Sequence, residues 1–378
     1  MMGNIPFNKV WFTGCEEKYI NECIAAGKTC GNGHFTKLCQ DYFEHTLGSK
    51  KCLMTTSCTD ALEMCALLAD IGPGDEVIVP SYTFVSSALA FSRQGATVVF
   101  ADSCADSPNI DPEKIESLIT PRTKAIVPVH YAGIACDMDR IMDIAARHNL
   151  IVIEDAAQGI DSFYDGKPLG SIGHLAAFSF HETKNVQCGE GGLLAINDDR
   201  FVKRAEMLWE KGTNRAEFFR GEVNKYGWVD TGSSFLPAEY VSAFLWAQIE
   251  NIKDIQDARK SHWDAYYEGL KDVSRIQLPM LPEYATNNGH AFFIICRSLA
   301  ERSALIAFLK ERGISSVFHY LSLHKSVYAQ KQGWDKACLP EADKYTDRLL
   351  RLPMFKALQP QDIERVVNAV KEFYHENP

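Results

Sequence analysis

Residues 151–158 read Ile151-Val152-Ile153-Glu154-Asp155-Ala156-Ala157-Gln158. An unbroken run of β-branched apolar residues is typical of a strand that is buried on both faces of a parallel sheet. A carboxylate at the end of such a strand needs a partner, because an unpaired buried charge is costly. The pattern therefore predicts either a ligand that pairs with Asp155 or a following helix that Asp155 caps.

Similar apolar runs lie on both sides of this strand and alternate with helical patterns. The predicted strands cover residues 51–55, 76–80, 97–102, 125–130, 151–154, 176–180 and 193–197. Helical patterns at residues 59–70, 86–94, 112–119 and 138–148 separate several of them. This alternation predicts an α/β fold, with a mostly parallel seven-stranded sheet covered by helices on both faces.

The pattern changes after about residue 197. Long charged helical stretches are expected near residues 199–211 and 238–267. A smaller α+β section follows from about residue 274, with strands at residues 291–296 and 316–319 and helices at residues 302–312 and 361–375. We therefore expect a large α/β domain at residues 1–250 and a small α+β domain at residues 251–378.

Composition limits the classes of function. The 378-residue chain has a net charge of −10 and a pI of about 5.6, so it lacks the global basic surface that binds nucleic acid. The first residues do not resemble a signal peptide, and no apolar run is long enough to span a membrane. The twelve cysteines are scattered without a C-x-x-C pair, which favours reduced thiols and a cytoplasmic location.

Other candidate residues follow the carboxyl ends of predicted strands, where open α/β sheets bind ligands. Ser57 and Asp60 fit a capping box, so a helix N-terminus there is either a plain cap or a phosphate seat. Phe84 either packs in the core or stacks on a flat ring. Lys184 is either a solvated loop residue or an amine held near a carbonyl ligand, where desolvation would lower its pKa.

These four features together are the parts that pyridoxal 5′-phosphate requires. The helix N-terminus takes the phosphate, and the aromatic ring covers the cofactor. Lys184 lies 29 residues after Asp155 and would bond covalently to the aldehyde. Asp155 would keep the pyridine nitrogen protonated, so that the ring can accept electrons. The combination predicts this cofactor more specifically than any one feature does.

Four runs of sequence resemble the DegT/DnrJ/EryC1/StrS family of nucleotide-sugar aminotransferases. They are Pro80-Ser81-Tyr82-Thr83-Phe84-Val85, Val127-Pro128-Val129-His130-Tyr131-Ala132-Gly133, Glu154-Asp155-Ala156-Ala157-Gln158 and Phe178-Ser179-Phe180-His181-Glu182-Thr183-Lys184-Asn185. The resemblance extends over essentially the whole chain. It implies the aspartate aminotransferase-like fold, which is fold type I of the pyridoxal phosphate enzymes, and a homodimer with shared active sites.

Within that family, residues 211–215, 218–221, 230–234 and 318–320 resemble the dTDP-4-amino-4,6-dideoxygalactose transaminases. That resemblance implies transfer of an amino group from L-glutamate to C4 of dTDP-4-keto-6-deoxy-D-glucose, with the galacto amine as product. The gluco amine and a C3 keto-sugar aminotransferase are alternatives. Lys184 disfavours a dehydratase of the same family, in which His typically replaces that lysine. Lys184 and Asp155 together disfavour a non-catalytic sugar-nucleotide binding regulator.

The resemblance also implies roles for individual residues. Lys184 would carry the cofactor and move the proton, while Asp155 would pair with the pyridinium nitrogen. The other implied cofactor contacts are Cys58, Thr59 and Ser179 at the phosphate, Phe84 on the ring, Gln158 at the 3′-oxygen and Ser234 from the partner subunit. The implied substrate contacts are Lys211, Asn214, Arg215, Arg220, His319, Tyr320 and His324, although a solvated mixed-charge surface explains the first four equally well. No third ligand at metal spacing accompanies His319 and His324, so no metal is expected.

Overall fold

A large sheet and a small sheet form the framework of the protein, which we describe from a computed structural model. The structure describes residues 3–376. The prediction that the chain starts without a signal peptide used Met1 and Met2, and these two residues lie outside the described residues. So do Asn377 and Pro378, the last two residues of the predicted small domain.

The strands, in chain order, are β1 (Lys51–Thr55), β2 (Glu76–Pro80), β3 (Thr97–Ala101), β4 (Thr123–Ile126), β5 (Ile151–Asp155), β6 (Phe163–Tyr164), β7 (Lys167–Pro168), β8 (Leu175–Ser179), β9 (Gly192–Ile196), β10 (Phe293–Ile295), β11 (Val317–Phe318) and β12 (Leu349–Arg351). The helices are α1 (Glu16–Ala25), α2 (His34–Leu47), α3 (Cys58–Leu68), α4 (Ser86–Ser92), α5 (Pro112–Ile115), α6 (Met138–His148), α7 (Val202–Trp209), α8 (Arg215–Phe219), α9 (Glu239–Glu250), α10 (Ile252–Leu270), α11 (Leu299–Glu311), α12 (Val327–Gln332), α13 (Pro340–Arg348) and α14 (Pro360–Glu376).

The large sheet has seven strands in the order β1-β9-β8-β5-β4-β2-β3. Strand β9 runs antiparallel to both of its neighbours, and the pairs from β8 to β3 are parallel. All seven predicted strands lie in this sheet, and the prediction of a mostly parallel seven-stranded sheet is confirmed. The short pair β6–β7 forms a separate hairpin that the sequence pattern did not indicate.

Both faces of the large sheet are buried, which explains why its strands show no polar alternation. Alternate residues of one strand enter different cores: Val77 and Val79 join a cluster with α3 and α4, whereas Ile78 joins a cluster with α6. At the other end of the sheet, α2 and α9 cover β1, β8 and β9 through a third cluster. The sheet is therefore a layer between helices.

The small sheet has three antiparallel strands in the order β10-β12-β11. Its core combines the sheet with α10, α11 and α14. Ile5 is buried in the same core and bridges to Ile314, so the first described residues lie with the C-terminal section. The boundary between residues 250 and 251 stays a prediction; it falls next to Asn251, where α9 ends and α10 begins.

Several elements differ from the expected ones for local reasons. The long helix expected over residues 238–267 breaks at Asn251, whose side chain donates to the carbonyl oxygen of Ala247 at 2.9 Å. Such a bond competes with the helical backbone pattern. The helix expected over residues 199–211 ends at Trp209, because Lys211 and Gly212 adopt positive φ values of 65° and 72°. Helices α1, α2, α12 and α13 and strand β12 were not predicted.

Among residues 3–376, no helix is long and apolar enough to cross a membrane. The twelve cysteines, all of which fall within that range, are free thiols.

Candidate active site

The register of the large sheet brings the chemically interesting residues to one edge. Asp155 at the end of β5 lies opposite Ala177, and Ser179 at the end of β8 lies opposite Gly192. Thr55 at the end of β1 also lies opposite Gly192, the first residue of the antiparallel strand β9. The carboxyl ends of three strands, β1, β5 and β8, and the start of β9 therefore lie at the same edge of the sheet.

A cavity of about 590 Å³ opens at this edge, between the large sheet and the small sheet. Nine of the residues that the sequence predicted for the site line it: Cys58, Thr59, Phe84, Asp155, Gln158, Ser179, Lys184, His319 and Tyr320. They come from the large sheet, except for His319 and Tyr320, which follow β11. The topology thus collects residues that are up to 262 positions apart in the sequence.

The N-terminus of α3 forms one wall of the cavity. The hydroxyl of Ser57 accepts a hydrogen bond of 3.1 Å from the backbone N–H of Asp60, which confirms the predicted cap. The hydroxyl of Thr59 lies 2.8 Å from that of Ser86. A Cβ atom at Gly192 would collide with the backbone of Ser57, so a glycine is needed for this close approach. The free N–H groups and dipole of a helix N-terminus favour an anion.

Asp155 is held in place from two sides. Its Oδ2 accepts a hydrogen bond of 2.6 Å from the hydroxyl of Ser87, and its Oδ1 accepts one of 3.1 Å from the backbone N–H of Ala157. The residue is buried, and its carboxylate lies at the wall of the cavity. No cation of the described chain is within 4.0 Å of it, so a positively charged group of a ligand would be its natural partner.

Glu154, the neighbouring carboxylate, has a different environment. It is fully buried and accepts hydrogen bonds from His130 Nε2 at 2.9 Å and from the backbone N–H groups of Gly170, Ile172 and Gly173. Burial raises the pKa of Glu154, but the bond and charge of His130 and the backbone donors outweigh it, so that the pKa falls below its usual value. Glu154 ties β5 to the segment that leads into β8, and it is not among the residues that line the cavity.

Lys184 follows β8 and reaches the cavity opposite Asp155. Burial lowers the pKa of its ammonium group below the usual value, and the positive charge of Arg351 lowers it further. Cys58 and Asp155 oppose that shift. A lysine with a lowered pKa is a better nucleophile at neutral pH, because more of it is in the amine form.

Polar groups from both sheets complete the cavity. The side-chain oxygen of Gln158 accepts from the backbone N–H of Ala132 at 2.7 Å, and its Nε2 donates to the hydroxyl of Tyr320 at 3.2 Å. The hydroxyl of Tyr131 lies 3.0 Å from His319 Nδ1. Burial lowers the pKa of His319 far below its usual value, so this imidazole is neutral at physiological pH.

Comparison with known proteins decides the family. The model of the DegT/DnrJ/EryC1/StrS aminotransferase family matches residues 13–371. The chain belongs to this family. The spore coat polysaccharide biosynthesis protein SpsC of Bacillus subtilis is 34% identical to it over 338 residues, which cover 87% of each chain. The predicted membership of this aminotransferase family is confirmed, and the protein is an enzyme.

Solved structures of relatives agree with that assignment. The PMP form of the putative sugar aminotransferase Spr1654 from Streptococcus pneumoniae is 26% identical, covers 99% of this chain and 100% of its own, and superimposes with a TM-score of 0.93. DesV of S. venezuelae is 30% identical, with coverage of 98% and 99% and a TM-score of 0.89. The predicted aspartate aminotransferase-like fold of type I is confirmed.

Five predicted residues of this aminotransferase lie outside the cavity of Lys184. They are Lys211, Asn214, Arg215, Arg220 and Ser234. Three of them, Lys211, Arg215 and Ser234, line a second cavity of about 550 Å³. Arg215 pairs with Glu210 at 3.0 Å, and Arg220 pairs with Glu206 at 2.8 Å. Asn214 accepts a bond of 2.9 Å from the backbone N–H of Gly227.

His324 is also absent from the residues that line the cavity of Lys184. It is buried, its Nδ1 lies 2.7 Å from the hydroxyl of Ser81, and its backbone N–H also points to that hydroxyl at 3.3 Å. Its Nε2 lies 3.7 Å from Asp343. In this chain His324 therefore links the loop after β2 to the C-terminal section. Within residues 3–376, no three His, Cys, Asp or Glu side chains are placed to hold a metal ion.

Some residues of the site were not found from the sequence. Ser87, which holds Asp155, lay within a predicted helix and carried no distinguishing signal. Phe7, Asn8, His290 and Arg351 line the cavity but come from the N-terminus and the small sheet. The pattern of strand ends in the large sheet gives no information about such distant segments.

Proposed function

We propose that this aminotransferase moves an amino group from L-glutamate to C4 of dTDP-4-keto-6-deoxy-D-glucose, giving dTDP-4-amino-4,6-dideoxy-D-galactose. The observation that carries the catalytic part is one cavity that holds Lys184, Asp155 and the N-terminus of α3 together. The choice of sugar rests on the resemblance of residues 211–215, 218–221 and 318–320 to the enzymes that make this amino sugar.

The cofactor of this family member is pyridoxal 5′-phosphate, and the residues fit it. An anion seat, a strand-end carboxylate, an exposed aromatic ring and a lysine of lowered pKa surround one cavity. Structures of a relative exist in PLP and PMP forms. When bound, the cofactor supplies an electron sink for the bond electrons of the substrate carbon.

Each residue then has a defined task. Cys58, Thr59 and Ser179 hold the phosphate, while Phe84, 56% exposed in the single chain, covers the ring. Asp155 holds the positive ring nitrogen, and Gln158 contacts the ring oxygen. Lys184 would hold the cofactor covalently and, once the amine of the substrate displaces it, its free amino group would move the proton between the substrate carbon and the cofactor. His319 and Tyr320 face the same space from the small sheet and contact the sugar.

We further propose a homodimer in which each active site receives residues from both chains. Large apolar side chains near the second cavity are exposed in the single chain: Trp228 by 85%, Phe219 by 70%, Val229 by 53% and Tyr226 by 51%. Apolar exposure of this size is typical of a surface that another chain covers. In that dimer, Ser234, Lys211, Asn214, Arg215 and Arg220 serve the partner's active site, with Ser234 near the phosphate.

The cytoplasmic location stays a prediction.

The substrate is tested with the purified holoenzyme. It is incubated with L-glutamate and a panel of dTDP- and UDP-linked 4-keto and 3-keto sugars, and the product is identified by NMR. We expect amination of the dTDP-linked 4-keto-6-deoxy sugar, with a small H3–H4 coupling that marks an axial amine. A large coupling would indicate the gluco product, and an amine at C3 would reject the proposed position. Binding of sugar nucleotide without turnover would instead favour the regulator.

A further inference from the structure

Arg351 brings a second positive charge into the cavity of Lys184. It is the last residue of β12, the central strand of the small sheet, where it lies opposite Phe293 on one side and Val317 on the other. Among the described residues that line the cavity, Lys184 and Arg351 are the two lysine or arginine residues, and His181, His290 and His319 also line it. The small sheet thus places a guanidinium group across from the end of the large sheet.

The guanidinium group has unused hydrogen-bond donors. Its Nε is buried without a hydrogen-bond partner, and no carboxylate in residues 3–376 lies within 4.0 Å of it. Its contact with the protein is with the ring of Phe7, whose centroid is 4.7 Å from Cζ. By contrast, the buried Arg259 donates to the carbonyl oxygens of Gly289 and His290 at 3.0 and 2.9 Å. Desolvated donors without a partner are costly, so an anion in the cavity would be a fitting partner.

Each anion that enters this cavity has different protein groups that can bind it. A cofactor phosphate has the N-terminus of α3, on the large sheet. The sugar nucleotide has a diphosphate, and the basic residues proposed above to serve the partner's active site, Lys211, Arg215 and Arg220, are available to it. The amino donor also brings a carboxylate into the cavity. Of the lysine and arginine residues that line it in the described chain, Lys184 is committed to the reaction, which leaves Arg351. Burial lowers the pKa of His290 and of His319 below the usual value, so these neutral rings are poor partners for a carboxylate. The planar fork of a guanidinium matches a carboxylate with two parallel hydrogen bonds.

We propose that Arg351 binds a carboxylate of the amino-acid donor. The inference rests on the proposed function, because it requires that an amino acid reaches Lys184. Phe7, whose ring centroid is 4.7 Å from Cζ of Arg351, holds the guanidinium group toward the cavity, so the N-terminal segment takes part in donor binding. In this assignment Arg351 contacts the substrate, whereas Phe7 is a positioning residue that acts through Arg351.

The two half-reactions separate this role from others. In the first, the amino acid gives its amino group to the cofactor and leaves as the 2-oxo acid; in the second, the keto sugar takes that group. Each is followed by the absorbance of the holoenzyme in a stopped-flow instrument. For Arg351→Gln we expect the first half-reaction, at low L-glutamate, to slow by roughly 50-fold, as for loss of a buried charge-assisted contact. The second should change less than about threefold.

A binding measurement complements the kinetics. Glutarate, a dicarboxylate that lacks the amine, should bind the wild-type holoenzyme in a calorimeter and bind Arg351→Gln at least about tenfold more weakly. Arg351→Lys keeps the charge but loses the two parallel bonds, so it should give an intermediate value. Arg351→Lys should also keep the contact with Phe7, so it provides the test if Arg351→Gln does not fold. The matched control is Arg312→Gln, because Arg312 stacks on Phe308 and pairs with Glu372. Arg312 is not among the residues that line the cavity.

Several outcomes would overturn the assignment. An unchanged half-reaction with L-glutamate, equal losses in both half-reactions, or a loss with the keto sugar alone would each do so, and the last would assign Arg351 to the diphosphate. If no amino acid reacts with the wild-type enzyme, the proposed function fails instead. If the wild-type enzyme reacts with an amino acid and both Arg351→Gln and Arg351→Lys react at the same rate, the assignment of Arg351 fails while the proposed function stands.

Discussion

The hydroxyl of Ser87 donates a hydrogen bond of 2.6 Å to Oδ2 of Asp155, and neither residue is more than 5% exposed. Thr83 lies behind Ser87, with its hydroxyl 2.9 Å away. The segment that brings Phe84 to the cavity therefore also fixes the orientation of the carboxylate.

Ser87→Ala should lower kcat by about tenfold, the value expected for one hydrogen bond to a charged group. The loss arises because the carboxylate is no longer fixed in the direction of the ring nitrogen. A double-mutant cycle with Asp155→Asn measures this directly. If Ser87 acts through Asp155, adding Ser87→Ala to Asp155→Asn should cause almost no further loss. Additive losses would show that Ser87 acts independently.

Adjacent carboxylates on β5 should give opposite phenotypes. Asp155→Asn should lower kcat by about a hundredfold or more with little change in Tm, because an amide does not keep the ring nitrogen protonated. Glu154→Gln should destabilise the protein by about 3 kcal/mol, since it breaks a buried network with His130 and three backbone donors. Its kcat should remain close to normal. Steady-state kinetics and thermal unfolding of both variants test the contrast, and a normal kcat for Asp155→Asn would make that residue a simple cap.

The effect of Glu154 should depend on pH in a defined direction. Its pKa in the folded protein lies below the usual value, so its stabilising contribution is complete above the unfolded pKa of about 4.3. The contribution is lost as the pH falls through the lower folded pKa. The difference in Tm between wild type and Glu154→Gln should therefore be constant near neutral pH and shrink below about pH 4. A difference that grows in acid would contradict the assignment of Glu154 as a buried carboxylate.

Lys184 should be the residue that carries the cofactor. Borohydride treatment of the holoenzyme should fix a pyridoxyl group on the peptide that contains Lys184, as seen by mass spectrometry. Lys184→Ala should remove the label and lower turnover by at least about a thousandfold, because the nucleophile and the proton carrier are lost together. Lys211→Ala is the matched control and should keep the label. Labelling of any other lysine in the wild-type enzyme would reject the assignment.

The large sheet was predictable because its strands are buried on both faces, which leaves continuous apolar runs in the sequence. The ends of those runs also located Asp155, Phe84 and Lys184, since parallel topology brings strand ends to one edge. Helices α1 and α2 precede the alternating pattern. Helix α2 covers the sheet together with α9, and α1 packs on these two helices, a relationship that no local signal shows. Arg351 was missed for a similar reason, because it reaches the cavity from the other sheet.

Residues 211–234 show a second limit of sequence reasoning. The resemblance indicated Lys211 and Ser234 as site residues, but a single chain places them at another cavity. The positive φ values of Lys211 and Gly212 turn the chain away after α7, and Gly212 packs directly on the backbone of Asp230. Strand ends predict where a chain builds its own site. They do not predict which residues a chain offers to a second copy.

The proposed exchange of residues between two chains leads to the last prediction. Lys184→Ala chains lack the nucleophile, and chains with Lys211→Ala, Arg215→Ala and Ser234→Ala together lack the groups offered to the partner. Each homodimer should be nearly inactive. In a mixed dimer, one active site combines an intact Lys184 with an intact crossing segment, so mixing should restore activity. Random pairing of equal amounts makes half of the dimers mixed, each with one of its two sites intact. The expected recovery is therefore about a quarter of the wild-type activity.

Sedimentation at the assay concentration supplies the control for this experiment. Trp228→Ser is expected to weaken the dimer and to reduce the recovery. A fully active wild-type monomer, or no recovery in dimers shown to be mixed, would mean that each chain builds its active site alone.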